Sequence, residues 1–153
     1  MSVDSNLTRA EATGRAAVVT RVESYDVDLD LTVGEKTFLS TTTVRFRAEP
    51  GGSTFIEIAA EAVDRVDLNG RPLDVGGYDG ARLALTGLSA DNELTVVAHC
   101  RYSHTGEGLH RFVDPVDDEV YLYSQFETYD AHRMYACFDQ PDLKATFRLA
   151  VTT

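Results

Sequence analysis

The residues best suited to chemistry lie in one predicted strand, residues 120–127. Side chains alternate between the two faces of a strand, so Tyr121, Tyr123, Gln125 and Glu127 share one face. The Glu127 carboxylate accepts charge-assisted hydrogen bonds from an ammonium group, and the Gln125 amide oxygen accepts another of its N–H groups. The two tyrosines line the approach. The spacing therefore predicts a small polar clamp for a cationic group, with a solvated strand face as the alternative.

The opposite face of this strand is mainly apolar. Val120, Leu122 and Phe126 share it with Ser124. Apolar residues that recur at every second position indicate a strand with one buried face. We therefore expect these apolar side chains to pack into the interior, with the clamp facing solvent.

The rest of the chain offers little that could catalyse a reaction. Its histidines are His99, His104, His110 and His132. None is paired at i, i+4, and no H-E-x-x-H occurs. His104 and His110 lie beside Asp114 in a Gly-rich stretch, which leaves a metal cluster open, although surface or loop histidines are the commoner case. There is no G-x-S-x-G, and Cys137 is interpreted as a small buried side chain. We predict no catalytic residue and no metal site in this chain.

Short strands with period-two alternation make up most of the chain. Alternation is clear over residues 25–31, 38–48 and 93–102. Asn69-Gly70 stands between two apolar runs, a pattern typical of a β-hairpin. Further short strands are predicted at 54–58, 63–68, 82–85, 120–126 and 147–151. Eight or nine strands with regular turns predict an all-β antiparallel sandwich.

The first residues differ from this pattern. Ala, Glu and Arg over residues 6–17 favour a short helix or arm, with Asn6 as its cap. We therefore divide the chain into an N-terminal arm, residues 1–20, and a β-sandwich domain, residues 21–153. The last strand reaches Thr153 without a turn, so we expect the domain to belong to a longer protein.

Composition and charge exclude several classes of function. The chain has 153 residues and a net charge of −11, which argues against a nucleic-acid partner and suits a cationic one. There is no apolar run long enough to cross a membrane. Residues 1–12 lack the apolar core of a signal peptide. Cys100 and Cys137 form no C-x-x-C, so we expect reduced, half-buried thiols and a cytoplasmic location.

The most specific motifs lie between residues 106 and 147. The segment 123–127 reads Y-S-Q-F-E, residues 130–133 read D-A-H-R, and residues 137–147 read C-F-D-Q-P-D-L-K-A-T-F. Together with G-E-G-L-H-R-F at 106–112, they resemble the aminopeptidase N family. The family form of this stretch is approximately Q-F-E-P-T-D-A-R-R, then P-C-F-D-E-P-x-x-K-A-x-F. The upstream segment is similar to a family loop of the type G-x-G-L-Y-R-S.

The resemblance implies a zinc-dependent exopeptidase that removes one residue from the free N-terminus of a peptide. Its first domain is a saddle-like β-sandwich that lends a Gln and a Glu to the active site of the next domain. By motif position these are Gln125 and Glu127. The segment 106–118, with Leu109 and Phe112, and the clamp strand would then form the docking face for the catalytic domain.

The sequence departs from the family pattern in two ways. Thr128-Tyr129 replaces Pro-Thr, His132 replaces the first Arg, and Gln140 replaces Glu before the proline. These changes put the shape of the loop beside the clamp in doubt. The exopeptidase motif G-A-M-E-N and the zinc-binding H-E-x-x-H are both absent, so we expect zinc in the full-length enzyme and an inactive fragment. The alternative is a non-catalytic binding or scaffold module of the same family.

Overall fold

The computed structural model describes residues 6–153. Residues 1–5 of the predicted arm lie outside the described residues. The helix α1 spans Arg9–Val18, and the ten strands of the described chain follow it. They are β1 Val19–Asp30, β2 Thr37–Ala48, β3 Thr54–Glu57, β4 Ala60–Leu68, β5 Arg71–Pro72, β6 Arg82–Leu85, β7 Asp91–Arg101, β8 Gly108–Val113, β9 Val120–Gln125 and β10 Thr146–Thr152. Short 3₁₀ helices span Val75–Gly77 and Ala131–Arg133.

The strands form three sheets, which confirms the all-β prediction. The large sheet has the order β10-β1-β2-β7-β4-β5. Its pairs are antiparallel except for β1 with β10, which run parallel. Two smaller antiparallel sheets pair β3 with β6 and β8 with β9. We call the last pair the 108–125 hairpin, and it carries the predicted clamp.

The core lies on one face of the large sheet. Tyr25, Val44, Leu94 and Leu68 are opposite one another in register across β1, β2, β7 and β4, and all are buried. Cross-strand neighbours of this kind pack directly against each other. The alternation that the sequence shows over β1, β2 and β7 therefore marks the buried face correctly.

A second layer covers this face. It includes Ile56 of β3 and Leu83 and Leu85 of β6, which belong to the same buried cluster as the large sheet. The Phe138 ring meets the Phe46 ring edge-on, with centroids 5.1 Å apart. The segment 134–138 is thus part of the core, which holds the following motif residues in place.

The Asn69-Gly70 hairpin is confirmed. Both residues adopt positive φ angles, 54° and 76°, between β4 and β5. Two successive residues with positive φ are what a type I′ turn requires. This turn reverses the chain at the edge of the large sheet.

The helix α1 is present, but its predicted cap is wrong. Thr8 caps the helix, since its hydroxyl accepts the Glu11 N–H and the Glu11 carboxylate accepts the Thr8 N–H. This is a capping box, and its signature is a Thr followed three residues later by a Glu. Asn6 lies two residues too early to serve. The helix is anchored to the sandwich by Arg15, whose side chain is buried.

Candidate functional site

The 108–125 hairpin sets the geometry of the predicted clamp. Gly108 lies opposite Gln125, His110 opposite Tyr123 and Phe112 opposite Tyr121. The segment 106–118, predicted as a loop, therefore contains the strand β8. The tight turn between the strands is closed by hydrogen bonds from the N–H of Asp114 to the carbonyl of Glu119 and from the N–H of Asp118 to the carbonyl of Asp114.

One face of the hairpin is an aromatic row that leads to Gln125. The His110 and Tyr123 rings stack with centroids 4.7 Å apart, and the Phe112 and Tyr121 rings are 6.2 Å apart. The Tyr121 hydroxyl donates to Asp117 at 2.8 Å, which raises the pKa of that tyrosine. Both tyrosines are exposed on the same side as Gln125. The alternation of the strand is as predicted on this face.

The prediction that the opposite face points inward is wrong for most of its length. Val120 is 46% exposed and Leu122 36%, and Ser124 is exposed as well. Phe126 is partly buried, with its ring 5.9 Å from that of Tyr135. The physical reason is that β8 and β9 form a separate two-stranded sheet that no other sheet of the described chain extends or covers here.

The clamp residues lie at the end of this hairpin opposite its tip, which is formed by residues 114–119. The strand β9 ends at Gln125, two residues before the predicted end, and Glu127 begins a turn over residues 127–130. The Gln125 amide oxygen accepts the Glu127 N–H at 2.8 Å. The Asp130 N–H closes the turn on the Phe126 carbonyl at 3.1 Å. Gln125 and Glu127 are therefore adjacent and exposed, but their adjacency comes from a turn rather than from strand alternation.

The 127–130 turn is hydrogen-bonded to a buried carboxylate that the sequence pattern did not reveal. Glu57, at the end of β3, is fully buried and forms an ion pair with Arg15 of α1. Its carboxylate accepts the Tyr129 hydroxyl at 3.0 Å and the Asp139 N–H at 3.3 Å. Burial and the nearby Glu57 carboxylate raise the pKa of Tyr129 well above its usual range. An acid flanked by Ile56 and Ile58 was a signal, because buried charges are paired in folded proteins.

His132 is also part of this interior. It is buried, and its Nδ1 lies 2.7 Å from an Asp139 carboxylate oxygen. Its ring centroid is 4.6 Å from that of Tyr129. Its carbonyl accepts the Ala59 N–H at 2.8 Å. Two of the residues at which the sequence departs from the family pattern, Tyr129 and His132, thus pack against each other beneath the clamp.

The described residues contain no group of three or more His, Cys, Asp or Glu side chains arranged to hold a metal. His104 and His110 have ring centroids 6.4 Å apart, and the Nδ1 of His104 pairs with the Arg111 carbonyl at 2.9 Å. The side chains of residues 6–153 therefore do not fit a zinc ion. Cys100 and Cys137 are free and wholly buried rather than half-buried. Burial raises the pKa of the Cys100 thiol to about 12, which makes it a poor nucleophile.

The two apolar residues of the predicted docking face differ in exposure. Leu109 is only 7% exposed and belongs to the core, whereas Phe112 is 43% exposed near the tip of the hairpin. A second apolar row was missed as a surface: Phe147, Leu149 and Val151 of β10 are all exposed. Their spacing at every second residue was visible in the sequence, but their exposure within the described residues was not.

Comparison with known proteins identifies the family. The family described as Peptidase M1 N-terminal domain matches residues 21–153. The chain belongs to this family. Aminopeptidase N of Streptomyces lividans is 55% identical over 152 residues, which cover 96% of this chain and 18% of that protein. This peptidase family is the one that the motifs at 106–147 indicated.

Two further proteins match this chain, one in sequence over a short segment and one in structure. The probable M1 family aminopeptidase 1 of Encephalitozoon cuniculi is 46% identical over 50 residues, covering 33% of this chain and 5% of that protein. The structure of yeast LTA4 hydrolase in complex with bestatin aligns with a TM-score of 0.67 at 19% identity, covering 86% of this chain and 22% of that chain. The last likeness shows the fold alone. Within residues 6–153, no helix has the length and apolar character to span a membrane.

Proposed function

We propose that this M1 N-terminal domain is the substrate-recognition domain of a zinc-dependent aminopeptidase, which removes N-terminal amino acids from peptides. The observation that carries the proposal is the exposed pair Gln125 and Glu127 at the end of an aromatic row. The 55% identity to a protein named aminopeptidase N supports the same reaction. The chain spans 18% of the length of that protein, and the proposal assigns the reaction to parts of the enzyme outside residues 1–153.

The chemistry of the clamp suits the free end of a peptide. An exopeptidase must distinguish an N-terminal ammonium from an internal peptide bond, and a fixed carboxylate supplies that distinction. The Gln125 oxygen has two lone pairs, and the Glu127 N–H uses one of them. The second lone pair remains for the ammonium. Tyr121 and Tyr123 line the approach along the hairpin.

The proposal assigns zinc to a catalytic domain of the same polypeptide. The sequence of this chain contains no H-E-x-x-H, the motif that supplies two zinc ligands and a general base in metallopeptidases. The isolated chain should therefore hydrolyse no aminoacyl chromogenic substrate. The exposed apolar rows at Phe112 and Leu149 are the surface we assign to contact with the catalytic domain. The free thiols support a cytoplasmic enzyme.

The test is kinetic and uses the full-length enzyme. A hydrogen bond to a charged group contributes about 1.5–3 kcal/mol, or roughly 10- to 100-fold. Glu127→Ala should lower kcat/KM by that factor for peptides with a free amine, and Gln125→Ala should have a smaller effect because its amide is neutral. Zinc content and the unfolding midpoint are the controls, since both side chains are exposed.

Two results would overturn the proposal. Wild-type kcat/KM in Glu127→Ala at full zinc occupancy would show that Glu127 does not hold the amine. A full-length protein without H-E-x-x-H and without peptidase activity would favour the non-catalytic scaffold module instead.

A further inference from the structure

The turn that carries Glu127 is fastened to the protein interior through Tyr129. The two residues are two positions apart in a turn closed by the Asp130 N–H on the Phe126 carbonyl. The Tyr129 hydroxyl donates to the Glu57 carboxylate at 3.0 Å. Because the Tyr129 side chain links an exposed turn to a fully buried acceptor, it fixes the position and orientation of that turn.

Glu57 is a rigid acceptor because three groups hold its carboxylate. One oxygen contacts Arg15 and the Tyr129 hydroxyl, and the other accepts the Asp139 N–H at 3.3 Å. The backbone of Glu57 also exchanges two hydrogen bonds with Cys137, each 3.0 Å long. A buried charge with so many partners cannot move without leaving one of them unsatisfied.

Arg15 joins the N-terminal helix to the same cluster. Its guanidinium lies 4.3 Å from the centre of the Phe55 ring while it pairs with Glu57. The helix is held at two more points: the Gln140 amide donates to the Ala12 carbonyl at 3.1 Å, and Glu11 pairs with Arg82. A continuous set of contacts therefore runs from α1 through β3 to the turn.

We propose that Arg15, Glu57 and Tyr129 are positioning residues, which hold Glu127 where it meets the amino group of the substrate. This inference rests on the proposed function. None of the three touches the substrate; they act through the turn. Binding groups must be held within fractions of an ångström by a supporting set of side chains, and a small misplacement is costly. The N-terminal helix is in this view part of the recognition apparatus.

The experiment begins with Tyr129→Phe in the full-length enzyme. The change removes one hydroxyl and keeps the ring that packs on His132. We expect kcat/KM for free-amine peptides to fall about 3- to 10-fold, the effect of losing the hydrogen bonds of this hydroxyl with Glu57 and Arg82. Tyr78→Phe is the matched control, because its hydroxyl also makes partly buried hydrogen bonds, to the Ile58 carbonyl at 2.6 Å and from the Ala60 N–H at 2.9 Å. It should lower the unfolding midpoint similarly and leave kcat/KM unchanged.

A double-mutant cycle separates positioning from a general loss of stability. If Tyr129 acts through Glu127, Tyr129→Phe should have no further effect on kcat/KM in a Glu127→Ala background. Additive effects, or wild-type kcat/KM in Tyr129→Phe, would overturn the inference while the clamp stands. Wild-type kcat/KM in Glu127→Ala would overturn the proposed function and the inference with it. If Tyr129→Phe fails to fold, Arg15→Lys takes its place in the cycle.

Discussion

The large sheet and the 108–125 hairpin show opposite relations between pattern and burial. In the large sheet, the alternating residues of β1, β2 and β7 are buried because β3, β6 and the 134–138 segment cover them. In the hairpin, Val120 and Leu122 alternate just as regularly and are exposed. Alternation identifies which side chains share a face, but burial requires a second layer that the pattern does not reveal.

The comparison also separates what stabilises the domain from what it presents to others. The strands β1, β2 and β7 of the large sheet bury their apolar face within the described chain, whereas the edge strand β10 leaves its apolar row exposed. The hairpin holds apolar and polar aromatic side chains that the described chain leaves in contact with solvent. A surface of this kind usually marks an interaction site. Because the two regions differ in burial, we expect substitutions in them to differ in their effect on the free energy of unfolding.

The largest contrast is expected between a core aromatic and a hairpin leucine. Phe46→Ala should destabilise the chain by about 3–5 kcal/mol, the usual cost of deleting a buried aromatic. Leu122→Ala should cost less than about 1 kcal/mol in this chain, because surface substitutions rarely cost more. Urea unfolding of both variants measures the difference. A loss above about 2 kcal/mol for Leu122→Ala would mean that the hairpin face is buried after all.

A second contrast compares a buried ion pair with an exposed one. Arg15→Met leaves the buried Glu57 carboxylate without its cation, and breaking such a pair costs about 3 kcal/mol or more. Arg47→Met removes exposed contacts with Glu23 and Asp91 and should cost about 0–1 kcal/mol. Adding Glu57→Gln to Arg15→Met should restore part of the loss. Equal unfolding free energies for the two single variants would contradict the buried pairing.

The smallest effect is expected for the ion pair between Glu11 of α1 and Arg82, and it depends on pH. Hydrogen bonds from Arg82 and from Thr8 lower the pKa of Glu11 from its usual 4.5 to about 2. A lowered folded-state pKa stabilises the protein above pH 4.5, and the contribution is lost as the pH falls toward 2. The carboxylate is partly exposed, so Glu11→Gln should cost only about 1 kcal/mol at pH 7. A difference from wild type that stays constant from pH 7 to pH 3 would contradict this linkage.

The residues that were predictable from sequence are those whose signal is local. The period-two faces of β1, β2 and β7 and the Asn69-Gly70 turn follow from short patterns and motifs. The clamp assigned to Gln125 and Glu127 stays a prediction, and a turn rather than strand alternation makes the two residues adjacent. The cap of α1 was also local, but the Thr8 and Glu11 signature was overlooked in favour of Asn6. Local chemistry of this kind needs no knowledge of the fold.

The features that the sequence did not predict depend on contacts between distant parts of the chain. Arg15 and Glu57 are 42 residues apart, and Tyr129 lies 72 residues beyond Glu57. No periodicity links them, and a charged residue in an apolar strand indicates that a partner exists without naming it. The strand β8 was missed because Gly106, Gly108 and the mixed side chains that follow resemble a loop, and its pairing with β9 is what makes it a strand.

The most direct test of the account is the charge of Glu127 itself. Glu127→Gln keeps the size and hydrogen-bonding reach of the side chain while it removes the carboxylate that an ammonium would meet. In the full-length enzyme, we predict that kcat/KM for free-amine peptides falls roughly 10- to 100-fold, with zinc content and unfolding midpoint unchanged. An unchanged kcat/KM at full zinc occupancy would contradict the claim that this domain recognises the amino terminus.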